Sequence, residues 1–560
     1  VASKHTFQSA RPGRSVPAAT AINEAGGLAY ARDPEQKLAQ LAATGTFNDT
    51  FYGKGTDQLS AIREAADGCS PEFIAQTAVW SRSKGHMKDM PAALAVMLTK
   101  ADPRLADIVF ARVIDNGKML RNFVQMIRSG AFGRKSLGSG PRRLIRRWFS
   151  QRTDEAIFRA SIGQHPSLGD VIALARPTPE SESRKALFGY LRGHPPEETV
   201  KGTKRVYYQA DALPDVIKTY EAFKRGETSE VPNVDFRLLA SQPLTKEQWA
   251  QIALRGGWQM VRMNLNTFLR HQALEVPGVV EAISKQLADP EEIAKARAFP
   301  YQLFAAFTNM ADGVPQKIRL ALQDAAEAAT ANVESYETPV AVLVDVSGSM
   351  RSPITGHRTG ATTKMSCVDV AAFVGATLLR RNPESLLVPV DTSVHSVASI
   401  NPRDSIMTIA DRLRRFGGGG TDLGAGMAYL NRHKFKGGLV ICVSDNESWV
   451  DSTGRNKCHG TKFYEEFRVF QARNPGAKLV CVDLQPYGTT QAPDAPNEVM
   501  NIGGFSDAVF EVIGKFVRGT KTQSTDWVSE IKKIDLYGVP ATNSAAAGTD
   551  DDEDGEAGSG

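Results

Sequence analysis

The sequence predicts an all-α array followed by an α/β domain built on a doubly wound parallel sheet, and three observations carry that prediction. Apolar residues recur at helical spacing from about residue 21 to 330, with hardly an alternating β-branched run. From Pro339 onward, short continuous apolar runs alternate with helical segments. The 560 residues amount to roughly three to four domains at ~150 residues each. A content of 42% hydrophobic and 23% charged residues excludes collagen, wholesale disorder and a disulfide scaffold.

In the first half, Ala75, Val79 and Trp80, then Leu94, Val96 and Met97, then Leu105, Ile108, Val109 and Val113 form successive helical stripes. Gly68, Gly85, Pro91, Pro103, Gly117, Gly130 and Gly133 fall between them, so helices of ~10–18 residues joined by short breaks are expected. No strict period repeats. The expectation is an irregular helical-repeat solenoid, with a pair of compact α-bundles as the competing architecture.

In the second half, residues 339–345, 386–390, 438–444 and 478–483 read as buried parallel strands. Helices are expected over 363–381, 404–415, 423–432 and 463–473. The domains are then a flexible start (1–20), a helical domain (21–337), a sheet domain (338–540) and a disordered Ala-, Gly- and Asp-rich acidic tail (541–560). No run of ~18 apolar residues suggests a membrane span, and the first twenty residues lack the apolar core of a signal peptide. Five widely spaced cysteines favour free thiols in a reducing compartment, hence a cytoplasmic location.

The net charge of +5 conceals an asymmetry. Residues 1–300 hold 42 basic against 31 acidic side chains, whereas residues 301–560 hold 25 against 31. The extreme block is 101–150, with 11 against 3. Within it, the run from Pro141 to Phe149 projects on a helix with Arg142, Arg143, Arg146 and Arg147 on one arc. Leu144, Ile145, Trp148 and Phe149 occupy the opposite, core-facing arc. Four arginines with no interleaved acid repel one another, and phosphate is their natural counter-charge because a guanidinium binds it bidentately. Arg121, Arg128, Arg134 and Lys135 precede this helix, the last two in a Gly-rich loop whose amides can approach phosphates. His165 and Arg176 continue the series, and Tyr207 and Tyr208 beside bases suit either stacking on nucleobases or core packing.

The first strand of the sheet domain ends in Asp345-Val-Ser347-Gly-Ser349. Ligands of open α/β sheets gather beyond the carboxyl ends of strands. Two further segments belong at that edge: the Gly-rich loop ending in Thr421-Asp422, and Ser444-Asp445 after a later strand. Two carboxylates and three hydroxyls make a hard-oxygen set suited to Mg2+ or another divalent cation. Together these motifs resemble the von Willebrand factor A fold and its metal-ion-dependent adhesion site. The resemblance implies that Ser347, Ser349 and Thr421 ligate the ion, with Asp345 and Asp445 acting directly or through water, and it implies binding instead of turnover. A hydrolase centred on Ser347 is disfavoured, since the Gly-x-Ser-x-Gly elbow is absent.

A basic helical array followed by such a domain resembles the Ro autoantigen, or TROVE-domain, ribonucleoprotein family. The residues that carry this are Asn23-Glu-Ala-Gly-Gly27, the stretch from Leu41 through Thr-Phe-Asn-Asp-Thr-Phe-Tyr to Gly53, Ser136 to Phe149, His165 to Pro177, and Met260 to Asn266. The resemblance covers about residues 20–537 and implies a ring of HEAT-like helical repeats closed by the A domain. It also implies binding of small non-coding Y-like RNA on an outer basic surface, and of single-stranded 3′ ends of misfolded RNA in a central hole. On that reading Arg142, Arg143, Arg146, Arg147, Lys135 and His165 stand where the family contacts RNA, and a monomeric protein works beside an exoribonuclease or RNA-repair enzyme. The competing function is a Mg2+-dependent interaction module that docks acidic protein partners.

Overall fold

The computed structural model describes residues 16–200, 203–296, 300–330, 333–357, 365–398, 400–450, 460–519 and 526–538. Residues 1–15 of the expected flexible start, the expected acidic tail, Cys458 and His459 lie outside them. Among the described residues, no helix is long and apolar enough to cross a membrane, and Cys69, Cys367, Cys442 and Cys481 are free thiols.

Two short strands, β1 (Ala21–Ile22) and β2 (Leu28–Ala31), precede the first helix. Nineteen helices follow before residue 330 among the described residues. Of the two prolines that read as breaks, Pro103 starts a helix and Pro91 lies in the first turn of one. Pro34, Pro71 and Pro103 each occupy the first turn of a helix, behind Asp33, Ser70 and Asp102, whose side chains accept first-turn N–H groups. Each helix packs chiefly on near neighbours in sequence. Asp89–Ala101, for example, lies against Pro71–Ser83, Pro103–Val113 and Gly117–Arg128. That is the contact pattern of a solenoid and not of two bundles. An antiparallel hairpin, β3 (Glu197–Val200) with β4 (Thr203–Val206), interrupts the array. The side chains described on β4 are all exposed, and so give no alternating apolar signal.

The sheet domain follows the expected order closely: β5 (Val340–Asp345), β6 (Leu386–Val390), β7 (Leu439–Ser444) and β8 (Lys478–Asp483). Beyond them come β9 (Thr489–Thr490) and β10 (Val499–Gly503). The five-stranded sheet runs β10-β8-β7-β5-β6, with every pairing parallel. The chain leaves β5 toward β6, then crosses back to lay β7, β8 and β10 on the other side. The topological switch point therefore lies between β5 and β7, whose carboxyl ends are Asp345 and Ser444.

The A-type domain grips both ends of the array. At one end β2 pairs antiparallel with β9, helix Pro34–Thr44 packs on β10, and helix Pro71–Ser83 packs on helix Trp527–Lys532. At the other, helix Pro300–Thr308 packs on Cys367–Arg381, and Gln316–Ala329 on Ile406–Leu413. The helical array thus closes on itself through the sheet domain. At the first junction the Arg32 guanidinium meets the Asp483 carboxylate at 2.9 Å, both side chains buried. Gln40 adds a bond of 2.8 Å to the Gln485 carbonyl.

Removing one partner of a buried ion pair leaves an uncompensated charge. Arg32→Ala is expected to destabilise the protein by about 3 kcal/mol, the low end of the range for such a loss, because Asp483 can then take a proton. A lowered urea midpoint checks this, and Asp483→Asn in the same chain should recover part of the loss.

Candidate metal centre and candidate nucleic-acid interface

The carboxyl edge of the sheet concentrates acid. Asp345 is fully buried; its Oδ2 accepts from Ser444 Oγ at 2.5 Å and its Oδ1 from the Ser347 amide at 2.9 Å. Ser347 Oγ lies 3.3 Å from Ser349 Oγ. Asp445, one residue beyond β7, lies beside the Ser349 hydroxyl, which works to lower its carboxyl, and accepts from the Glu447 amide at 3.2 Å. The structure therefore brings Asp345, Ser347, Ser349 and Asp445 into one contact group.

Thr421 arrives on the Gly-rich loop. That loop is stitched to the first motif by Gly348 N–H to the Gly419 carbonyl and Gly418 N–H to the Val346 carbonyl, both 2.8 Å. Gly417 makes the turn at φ +72°, where a Cβ would overlap the Val346 carbonyl. Asp391, just past β6, holds the same loop by accepting from the Gly419 amide at 3.2 Å, while its own carbonyl accepts from Asp422 N–H at 2.8 Å. All five expected ligands are buried.

The electrostatics follow from that burial. Desolvation, reinforced by the neighbouring Asp345 charge, pushes the Asp445 carboxyl up to about 8 against the hydrogen bond to Ser349. Burial also raises Asp345 against its bonds to Ser444 and Ser347. Asp483 is raised to about 7 by burial despite Arg32. Glu447 is pushed up to about 11, first by burial and then by Glu24 and Asp445. Four buried carboxyls therefore share this edge with one guanidinium, that of Arg32, which pairs with Asp483. A hard-oxygen donor set whose buried carboxyls are held back from ionising fits a divalent cation, whose charge would favour their ionised forms. No group of three or more His, Cys, Asp or Glu side chains among the described residues has the placement to hold a metal, so the hydroxyls are essential to the fit.

The basic helix spans Ser139–Ser150, and Leu144, Ile145, Trp148 and Phe149 face the core as expected. Its arginines do not all remain unpaired. Asp107, on helix Pro103–Val113, takes Arg147 at 2.7 Å and approaches Arg143 at 4.0 Å. Arg147 also donates to the Asp107 carbonyl, and Arg146 Nε donates to the Ala175 carbonyl at 2.8 Å. Arg142 is exposed and meets no acid among the described residues, and Arg143 remains 71% exposed. Helix Leu168–Ala175 packs on both Ser139–Ser150 and Gly117–Arg128. Exposed Arg176 caps its end, and exposed Arg128 and His165 lie near enough to Asp170 to help lower that carboxyl, after its bonds to Ser167. Lys135 is exposed, its stem over Gly130. Arg128, Lys135, Arg142, Arg143, Arg146 and Arg176 are thus solvent-facing basic side chains of this part of the array, and His165 is exposed beside them.

Residues 340–517 match the family model described as the Ro60 vWA domain. An RNA-binding protein RO60 of Deinococcus radiodurans is 23% identical over 531 residues, covering 89% of this chain and 95% of the relative. The chain is thus similar to Ro proteins along most of its length. The RNA-binding protein RO60 of Caenorhabditis elegans is 24% identical over 250 residues, 43% of this chain and 37% of that one. The crystal structure of the Deinococcus radiodurans RO (RSR) protein superposes with a TM-score of 0.57 at 19% identity, over 87% of this chain and 99% of the other, and shares its fold.

Three of the expectations about the basic residues meet a different arrangement. Arg121 is buried, donates to the Ala160 carbonyl at 3.1 Å and lies against Gly163, so it ties helix Gly117–Arg128 to the turn that follows helix Asp154–Arg159. Arg134 is half-buried and spends a bond on Thr99. The four arginines of the basic helix are not an unrelieved cluster, because Asp107 comes from a helix some 40 residues earlier, out of reach of a local projection. Of the tyrosines, Tyr208 is core, and Tyr207 already stacks on His194 at 4.2 Å.

Sequence reasoning missed Asp391 and Arg32. Asp391 carried a usable signal, a carboxylate directly after a buried strand. Arg32 acts across the domain junction and carried none. Gly417→Ala forces an L side chain into left-handed backbone against a carbonyl. It is expected to lower stability by about 1–3 kcal/mol, read as a lower unfolding midpoint, whereas Gly476→Ala, at a similar φ in open space, costs no more than the backbone strain.

Proposed function

We propose that this chain is the RNA-binding scaffold of a cytoplasmic ribonucleoprotein. It holds a small structured non-coding RNA of the Y type on its outer basic face and takes single-stranded 3′ ends of misfolded RNA for quality control. It works as a monomer, without turnover of its own, beside an exoribonuclease or RNA-repair enzyme. The observation that supports this reading best is the cationic face across helices Gly117–Arg128, Ser139–Ser150 and Leu168–Ala175. Relatives named RNA-binding proteins support the same reading. Arg142, Arg143 and Arg176 present guanidinium forks that match phosphate oxygens. Such a grip is salt-dependent and weakly sequence-specific, so discrimination rests on RNA shape and on a free single-stranded end.

The A domain binds a divalent cation, Mg2+ first, through Ser347, Ser349 and Thr421 with Asp345 and Asp445. When bound, the ion supplies positive charge to the buried carboxylates; the chain's own part is to orient the hydroxyls and exclude water. The donor chemistry and the surplus of buried acid support this reading.

A gel shift with a structured RNA carrying a single-stranded 3′ tail tests RNA binding. Replacing Arg142, Arg143 and Arg176 with Glu should reduce the salt dependence of log K by about 2–3, one unit per lost phosphate contact, and abolish binding at ~100 mM salt. Unchanged affinity with a native circular dichroism spectrum would sink the assignment. For the metal, Mg2+ should raise the melting temperature of the wild type but not of Asp345→Asn, while the RNA affinity of that variant stays at the wild-type level.

A further inference from the structure

The segment that leads to the acidic end of the sequence is fastened beside the basic helix. Helix Trp527–Lys532 packs on Pro71–Ser83, where Trp527 meets Trp80 edge to face at 5.6 Å. Gln76 Nε2 donates to the Lys532 carbonyl at 2.8 Å, and Leu536 is buried. The Asp535 carbonyl then accepts from the Arg112 guanidinium at 2.5 Å. The amides of Tyr537 and Gly538 both donate to the Asp535 carboxylate at 2.9 Å. Gly538 is thereby held next to helix Pro103–Val113, which carries Arg112.

That helix is the neighbour of the basic one, for Pro103–Val113 packs on Ser139–Ser150. Asp107 stands about 7.5 Å along the helix axis from Arg112, and it meets Arg147 at 2.7 Å and Arg143 at 4.0 Å. Exposed Arg104, one turn before Asp107, has no acidic partner among the described residues, and the same holds for exposed Arg142 and Arg176. Beyond Gly538 the sequence holds six acids (Asp550, Asp551, Asp552, Glu553, Asp554 and Glu556) and no basic residue. The chain between Gly538 and Asp550 can span up to ~40 Å. The acids therefore come within reach of the arginine face.

We propose that the acidic segment 550–556 docks in cis on the cationic face around Arg104, Arg142 and Arg143, where it competes with RNA phosphate. Its charge is opposite to that of the face, its root is fixed next to it, and its reach suffices. A carboxylate fits the guanidinium fork as a phosphate does. Tethering makes the contact intramolecular, so individually weak surface pairs act at a high effective concentration. The consequence is a threshold. A ligand that makes few phosphate contacts leaves the segment in place, whereas an RNA that engages the whole face displaces it. This inference rests on the RNA reading above for that consequence and adds a competitor to it.

The test keeps the chain at full length. A charge-neutral variant carries Asp550→Asn, Asp551→Asn, Asp552→Asn, Glu553→Gln, Asp554→Asn and Glu556→Gln. In a gel shift with the structured RNA bearing a single-stranded tail, it should bind about 3–30-fold more tightly than the wild type at ~50 mM salt, the scale of a few surface ion pairs. The gap should narrow as salt rises. Docking itself is read without RNA. In the full chain with Arg142→Lys and Arg143→Lys, a zero-length carbodiimide should join those amines to carboxylates of 550–556, identified by mass spectrometry, and excess RNA should suppress the product. Asp107, already 4.0 Å from Arg143, supplies the internal control. Equal RNA affinities of the two chains, or crosslinks confined to Asp107, would overturn the docking. If no chain binds RNA, the RNA reading fails, and the crosslink alone decides whether the segment docks.

Discussion

The constraint on which the structure turns is negative charge buried at one edge of a parallel sheet. Because β5, β7 and β8 run the same way, their carboxyl ends coincide in space, and each delivers an acid: Asp345, Asp445 and Asp483. Glu447 joins them from the following turn. Burial of this kind is costly unless counter-charge or hydrogen bonds compensate it. The Ser444 hydroxyl and the amides of Ser347 and Glu447 supply the bonds, and Arg32 supplies charge. Arg32 belongs to the helical half of the chain. Relief of charge at the A-domain edge and closure of the helical array are therefore one problem with one solution.

The arginines of the array divide into two kinds by geometry. Arg121 and Arg184 are interior fasteners; Arg184 holds Asp154 and the carbonyls of Phe149 and Arg152. Arg147 is intermediate, pinned by Asp107. Arg128, Arg142, Arg143 and Arg176 point to water. A guanidinium with five donors saturates buried carbonyls where a lysine ammonium fails. The same composition thus serves both stability and recognition, and a count of basic residues overstates the surface available to a polyanion.

How far the sequence could be read depended on whether a signal was local. The strands β5 to β8 stood out because a doubly covered parallel strand is an unbroken apolar run. The metal motifs stood out because each follows such a run. The amphipathic helix 139–150 was legible from its period alone. β10 was not, because Asn501 sits inside it, its side chain bonded to the Ala492 carbonyl and to Asp494. β9 is two residues long and exists only through pairing with β2. Asp107 and Arg32 act on partners 36 to more than 400 residues away, and no window along the chain contains both ends of those contacts.

The short strand pairing of β2 with β9 has a consequence for synthesis. Asn23, Arg32 and Gln40 bond to residues 425, 451 and 445 positions further on. At about 5–20 residues per second, a ribosome takes on the order of 20–90 s to traverse that interval. For that time the nascent solenoid is an open arc with one unpaired edge, although its internal helix contacts are already available. Its circle is completed only by the last-made third of the polypeptide, so a chain stalled before residue 490 is folded along most of its length and still unclosed.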